Sequence, residues 1–580
     1  MKFRWSLAPP QRAHAERLAE ALKLPPLLAQ CLLNRNLTEP SAAAAFLWPR
    51  LRQLADPFLL PHMPLAVERL LQARKRKEPV VLFGDYDVDG VTASALLLEV
   101  LRPLGWQVQY YLPRRLEEGY GLSQEAVENC LAQSGATLLL AVDCGSTAVA
   151  PIAWLRQRGV EVIVLDHHQI SVPAPAAIAL VNPRLSASCN TSESEDSGAP
   201  FTELCSVGLA FKLAHALLKR ARETSILGTA DFDLRSLLDL VALGTIADVV
   251  PLTGENRILA SVGLERLSTT QRPGLVALKQ VAQSPALLGS HEVAFQLAPR
   301  LNAAGRLETA EEALRLLLTR DHAEARTLAQ TLDVRNRTRQ KIEHGIVEDA
   351  ITTVQSRFNP GTDYVIVEGN PTWHIGVVGI VAARVLQQFY RPTVILGGDG
   401  ATFRGSGRSI PGFNLAGALR ECADLLIRQG GHAMAAGVSL LPANLEAFRT
   451  RLNQLALNTL QPEDLQPSLR LDAEVRLVDL HLECLAALAQ LRPTGQNNPP
   501  VQLFARKLNL HRPPLHIGAQ KQHLKLWIND GTTALEAVWW NAADQTIPPA
   551  PFDLAFAPQI NEYNGSRSVQ LKILDWRPAQ

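Results

Sequence analysis

The chain has 580 residues, 47% of them hydrophobic and 19% charged, and its 57 Lys and Arg against 56 Asp and Glu leave a net charge of +1. That length exceeds one hydrophobic core and calls for two to four domains. The balance excludes a histone-like polycation but leaves room for a local basic groove. Seven cysteines (Cys31, Cys130, Cys144, Cys189, Cys205, Cys422 and Cys484) include no CxxC pair, so free thiols in a reducing, cytoplasmic setting are expected. The start MKFRWSLAPP has no apolar core of a signal, and no run of about 18 apolar residues offers a membrane span.

Residues 1–75 read as helical, broken by prolines at 25–26 and around 61–64. At residue 79 the pattern changes. PVVLFGDYD is an apolar run ending in acids, and the following TASALLLEVLRPLG is a helix stopped by Pro103 and Gly105. WQVQYYLP reads as a strand. ATLLLAVDCG is a buried strand ending at Asp143, and VEVIVLDHH is another. Continuous apolar strands alternating with helices predict a parallel α/β sheet covered on both faces. SASCNTSESEDSGAP (186–200) is expected to be a surface loop, with helices near 205–221 and 235–246. Residues 309–350 form an Arg-rich helical connector, and DYVIVEG (363–369) opens a second, glycine-rich α/β unit reaching GGHAMAAG (430–437). Beyond about 462 the texture turns to short strands. Asp530-Gly531 and Asn564-Gly565 are hairpin signals, so a small antiparallel barrel or sandwich is expected.

The densest chemistry lies in LFGDYDVDGVTA, where Asp85, Asp87 and Asp89 crowd three like charges ahead of Gly90. An EF-hand loop would need a glutamate at position twelve. Counting from Asp85, that position is Leu96, and the run follows a strand rather than a helix. Asp143 ends a second apolar strand, Asp166-His167-His168 a third, and Asp248 closes the helical run ALGTIADVVPL. Ligands of open α/β sheets sit beyond the carboxyl ends of strands, so these acids converge on one rim. Carboxylates with one imidazole suit Mn²⁺ or Mg²⁺ better than Zn²⁺. Two such cations would offset the repulsion. Each acid taken singly is also an ordinary helix N-cap or turn residue.

These segments resemble the DHH phosphoesterase superfamily, and within it the branch of single-strand-specific 5′→3′ DNA exonucleases. GDYDVDGVTA, AVDCG, LDHH, GTIADVVPL and RLNAAGRL match the catalytic lobe, and WHIGVVGIVAARV, RGSGRSIPGFNL and GGHAMAAG match the DHH-associated domain. The resemblance implies a helical segment over 1–75, a catalytic domain over 76–320, a connecting helix over 321–350, a DHH-associated domain over 351–460 and an OB-fold nucleic-acid-binding domain over 461–580. It also implies two Mn²⁺ or Mg²⁺ ions on Asp87, Asp89, Asp143, His167 and Asp248, with Asp85 beside them and His168 facing the phosphate. Phe83 stands where many relatives carry a further histidine.

The implied reaction is a two-cation hydrolysis releasing 5′ mononucleotides, with no side-chain nucleophile. Arg300, Asn302 and Arg306 are candidates for the scissile phosphate. Ser406 and Arg408 are candidates for the terminal phosphate, with His374 and His432 approaching across a cleft. Arg335, Arg337, Arg339 and Lys341 recur every second residue and so spread around a helix rather than line a groove. Trp527, Trp539 and Trp540 read as core rather than as base-stacking residues. The implied partners are single-stranded DNA, single-strand-binding protein and recombination helicases, for a monomer that touches no membrane. Two alternatives stand on the same residues: a non-catalytic replication scaffold, and a phosphodiesterase of short oligonucleotides or cyclic dinucleotides. Metal-dependent release of mononucleotides would exclude the first, and degradation of long single strands rather than dinucleotides would exclude the second.

Overall fold

Five apolar runs lie side by side in the computed structural model, which describes all residues except 1–2, 115–116, 120, 186–200, 225, 227, 399, 548, 564 and 580. They are β1 (Pro79–Phe83), β2 (Gln107–Tyr111), β3 (Leu138–Val142), β4 (Glu161–Leu165) and β5 (Ala179–Val181), all parallel, in the order β2-β1-β3-β4-β5. β1, β3 and β4 are buried along nearly their whole length, which is why they show no polar alternation. The chain moves from β1 to β2 on one side and returns to β3 on the other. Such a reversal opens a crevice at the carboxyl ends of the strands. The loop expected over 186–200 lies outside the described residues.

Helices pack on this sheet. α1 (Val88–Leu101) is buried on every side except at Glu99, whose carboxylate pairs with Arg272 and Arg320. α2 (Ser206–Glu223), α3 (Leu238–Ala247) and α4 (Gly254–Ser268) follow. α5 (Ala298–Leu307) continues from a π-turn over Val293–Leu297. Pro299 has no N–H and its ring would meet the carbonyl four residues back, so the wider turn relieves that clash. Residues 490–500 belong to this unit, which otherwise spans 39–336. Fully buried Arg257 on α4 holds them by donating to the carbonyls of Gln490, Leu491 and Arg492 at 2.9–3.0 Å.

The other unit comprises 1–38, 337–489 and 501–580. The first 38 residues include a strand, Arg4–Leu7, paired in parallel with Ser468–Leu471, within the segment expected to be mainly helical. The connector is a 34-residue helix, His322–Gln355. Its arginines pair with acids, Arg335 with Glu308 and Glu312, and Arg339 with Glu343. A mixed sheet follows, with β6 (Ile366–Gly369), β7 (Thr393–Gly398), β8 (Phe403–Arg408), β9 (Leu426–Gly431) and β10 (Ala435–Leu440) in the order β9-β10-β8-β7-β6. α6 (Val378–Phe389) packs against it.

The C-terminal strands are β11 (Leu503–Ile517), β12 (His523–Asn529), β13 (Ala534–Trp539), β14 (Phe552–Tyr563) and β15 (Ser566–Pro578). They run β11-β12-β13-β15-β14, and β14 closes back onto β11. That is a five-stranded OB-type barrel. Both hairpins form where glycine was expected to turn them: Asn529 faces Ala534 across Gly531, and Tyr563 faces Ser566. Asn564 itself lies outside the described residues. Trp539 packs against the barrel core as expected, whereas Trp527 and Trp540 depart from the core reading. Trp527 is half-buried with the Arg512 guanidinium 3.4 Å over its ring, and Trp540 is nearly half exposed. Period-2 alternation puts Trp527 on the outer face, opposite buried Leu526 and Ile528.

Candidate metal centre

The acids meet at the carboxyl ends of β1, β3 and β4. Asp87 is the N-cap of α1, accepting from the Gly90 amide at 3.1 Å. Its capping duty, the ordinary alternative for such a residue, is therefore real. Asp89, in the first turn of the helix, does not face solvent. Its carboxylate accepts the Ser206 and Val207 amides at 2.7 and 2.8 Å, so the N-terminus of α2 holds it. Asp143 follows β3 with φ +65°, a left-handed conformation that Asp tolerates better than most residues, and it accepts from Ser206 Oγ at 2.8 Å. Asp248 caps the C-terminus of α3 and is followed by Val249 at φ +60°. A β-branched residue there is an outlier, and such strain concentrates at functional sites.

His167 joins the acids. Its Nε2 lies 3.5 Å from Asp143, 3.5 Å from Asp248 and 3.9 Å from Asp89. Asp85 and Asp87 place carboxylate oxygens within 4.8 Å of one from Asp143, and Asp143, His167 and His168 form a similar triad. Asp85, Asp89 and Asp143 are each 1% exposed. In the protein without cations, burial and then the charge of Asp87 push Asp89 up to about 7. Burial, with the charges of Asp89 and its neighbours, raises Asp143 and Asp248 well above the usual carboxylate range. Asp248 Oδ2 is sealed from solvent and accepts no hydrogen bond among the described residues.

Desolvated like charges with an orphaned oxygen fit a divalent cation, and an oxygen-rich set with one imidazole fits Mn²⁺ or Mg²⁺. Phe83 is fully buried and stacked on Tyr111, so position 83 offers no donor, while Asp85 offers an oxygen beside those of Asp87 and Asp143.

Asp166 carries a role that sequence reasoning left unassigned. Its Oδ1 accepts from the His167 and His168 amides and meets His168 Nδ1 at 2.7 Å, while Oδ2 accepts from the Ser146 amide. Burial opposes its charge, yet these donors hold it below the usual range. Burial likewise opposes charge on His168, but the Asp166 bond outweighs it and raises the imidazole. Asn182 completes the frame by donating to Ser146 Oγ and the His168 carbonyl. Ser206 was also missed. It follows residues that carry no motif, and only α2 brings it to Asp143. Replacing Ser206 by Ala is expected to lower metal affinity by about 10–100-fold, measured by calorimetry, because ligand-orienting hydrogen bonds typically carry that much.

α5 also meets the acid loop. Asn302 Oδ1 accepts from the Val88 amide at 3.1 Å and so braces the acid loop. Arg300 pairs with Asp333 at 2.9 Å and donates to the Gln296 carbonyl. Arg306 lies in the last turn of α5. Gly305 is required by contact, because a Cβ there would lie 2.6 Å from the Tyr86 carbonyl, between Asp85 and Asp87. Gly305→Ala is therefore expected to lower Mn²⁺ affinity at least tenfold while costing about 1–3 kcal/mol of stability, read by titration and by melting.

Ser406, Arg408, His374 and His432 belong to the other unit. Arg408 Nη1 donates to Ser406 Oγ at 2.8 Å on β8. Gly379, in the first turn of α6, lies so close that a Cβ would sit 3.2 Å from Arg408 Nη2 and from Ser406 Oγ. His374 Nδ1 accepts from the Gly376 amide, and exposed His432 sits in the turn joining β9 to β10.

Comparison with known proteins agrees with this architecture. Family models match residues 79–245 (DHH family, N-terminal domain), 361–458 (DHHA1 domain) and 471–575 (RecJ OB domain). The single-stranded-DNA-specific exonuclease RecJ of Dickeya dadantii is 38% identical, over 95% of this chain and 96% of its own length. That of Bacillus subtilis is 37% identical, over 99% and 71%. A crystal structure of RecJ from Thermus thermophilus in complex with Mn²⁺ superposes with a TM-score of 0.83 at 30% identity, covering 100% of this chain and 80% of that one. The chain belongs to the RecJ family of single-stranded-DNA-specific exonucleases.

Proposed function

We propose that the chain degrades single-stranded DNA from its 5′ end, hydrolysing one phosphodiester bond at a time to 5′ mononucleotides with two divalent cations, Mn²⁺ or Mg²⁺. The observation that carries the reading is the convergence of buried Asp89 and Asp143 and partly buried Asp248 on His167 Nε2 within 3.9 Å. Asp85, Asp87, Asp89, Asp143, His167 and Asp248 would hold the cations, which supply an activated water and charge stabilisation. The residues do the rest. Ser206 and the start of α2 fix Asp143 and Asp89, and Asp166 fixes the His168 ring so that Nε2 can donate to a phosphate oxygen. Ser406 and Arg408, against the N-terminus of α6, offer a hydroxyl and a guanidinium to the terminal phosphate. His374 and His432 are assigned to the same end of the substrate, and Arg300, Asn302 and Arg306 to the region of the scissile phosphate. The β11–β15 barrel supplies the nucleic-acid surface, with Trp527 and Arg512 outward.

A cytoplasmic setting fits the six described cysteines, all buried and unbridged. Single-strand-binding protein and recombination helicases are the chain's natural partners, since they coat or generate the substrate. Digestion of 5′- and 3′-labelled single and double strands, with and without Mn²⁺, tests the activity. Mononucleotide label from the 5′ end of single strands alone is expected. Release from the 3′ end, or equal attack on duplex, would overturn the assignment.

A further inference from the structure

One thiol lies inside the acidic cluster. Cys205 is the N-cap of α2, fully buried, and its Sγ lies within 4.8 Å of carboxylate oxygens of both Asp89 and Asp248. Its nearest neutral partner is Thr245 Oγ1 at 3.5 Å. The same two carboxylates face His167 Nε2 at 3.9 and 3.5 Å. Two carboxylates and one thiol thus form one group, and the imidazole faces the same two carboxylates. Tetrahedral zinc, with bonds of about 2.0–2.3 Å, needs neighbouring donors about 3.3–3.8 Å apart, so the thiol and the two carboxylates need to close by no more than about 1–1.5 Å.

We propose that Cys205 is a soft donor of this centre, which together with Asp89, Asp248 and His167 captures zinc in a closed, tetrahedral form. The inference rests on the two-cation reading of the same site. Mn²⁺ and Mg²⁺ are hard cations that prefer oxygen and leave the thiol unused, whereas Zn²⁺ binds thiolate and stands above Mn²⁺ in intrinsic affinity. On zinc binding the Sγ–H bond breaks, its proton passes to solvent, and a Zn–S bond forms with no change of oxidation state. Four protein donors leave no position for water, as in structural zinc sites. Zinc then acts as a shut-off that competes with the working cation.

Cobalt(II) reports the thiolate directly. The metal-stripped full-length protein is titrated with Co²⁺ while the near-ultraviolet sulfur-to-cobalt charge-transfer band is recorded. The same is done for Cys205→Ser and for Cys144→Ser, which removes the other thiol beside the acids. Serine is a favoured N-cap, so Cys205→Ser is expected to fold, and circular dichroism checks it. The expected result is a band in the parent and in Cys144→Ser that is lost in Cys205→Ser, with Zn²⁺ affinity at least tenfold weaker in that variant by competition calorimetry. Co²⁺ binding without the band, a band that survives Cys205→Ser, or unchanged Zn²⁺ affinity would overturn the proposal. Those outcomes leave Mn²⁺-dependent release of mononucleotides untouched, whereas loss of that release would sink the exonuclease reading itself.

Discussion

Replacing Asp143 by asparagine lowers turnover by about 10³-fold or more and, at the same time, raises the melting temperature of the metal-free protein. The first half follows from charge. At an effective dielectric of about 20, a unit charge 4 Å from another contributes about 4 kcal/mol, and each 1.36 kcal/mol is tenfold in rate. The second half follows from where Asp143 sits. It is 1% exposed, and its ionisation is opposed by burial and by Asp89, Asp87, Asp85 and Asp248. Without a cation the neutral amide removes that repulsion and still fills the space, keeping the 2.8 Å approach to Ser206. Saturating Mn²⁺ reverses the order, stabilising the parent more than the variant, because binding to the native state adds to stability. Single-turnover rates and thermal melts with EDTA and with Mn²⁺ check both halves. A variant that is inactive but less stable in EDTA would mean that Asp143 serves packing rather than cation binding.

The metal-free protein is expected to lose stability as pH rises from about 4 to about 7. Burial, followed by repulsion from Asp87, raises the folded-state value of Asp89 to about 7, and Asp143 and Asp248 move the same way. Across that window the unfolded chain has lost these protons while the native state keeps them. The native state therefore binds more protons, and its stability falls with rising pH. Asp166 works in the opposite sense. Its hydrogen bonds depress it, so its contribution is present above about 4 and lost toward stronger acid. Each tenfold change in proton affinity corresponds to about 1.4 kcal/mol, so the raised acids together amount to a few kcal/mol, or about 5 °C or more in melting temperature. Cations that require the ionised carboxylates cancel the effect. Melting in EDTA should therefore decline between about pH 4.5 and 7.5, and melting with saturating Mn²⁺ should not. Parallel curves would show that the cluster does not hold the cations.

The parts of the centre that announce themselves in the sequence are those that end apolar strands. Asp85, Asp87 and Asp89, Asp143 and the Asp166-His167-His168 triplet each follow a run whose β character is unmistakable, and a parallel sheet brings strand ends together. The glycine-marked hairpins and the closed barrel were legible for the same reason, because turn chemistry is local. What stayed hidden depends on tertiary approach. Ser206 and Cys205 reach Asp143 and Asp89 only because α2 points its N-terminus at the sheet edge. The ion pair of Arg300 with Asp333 at 2.9 Å and the brace of Asn302 on the Val88 amide likewise join residues far apart in the chain. The Arg4–Leu7 strand has no partner in its own neighbourhood, since it pairs with residues 468–471. Trp527 reads as core by composition, yet its side of β12 faces outward.

The most direct test of the centre is anomalous scattering from a crystal of the protein soaked in Mn²⁺. The account predicts two manganese peaks among Asp85, Asp87, Asp89, Asp143, His167 and Asp248. Well-ordered side chains turned away from one another, with no peak between them, would contradict it.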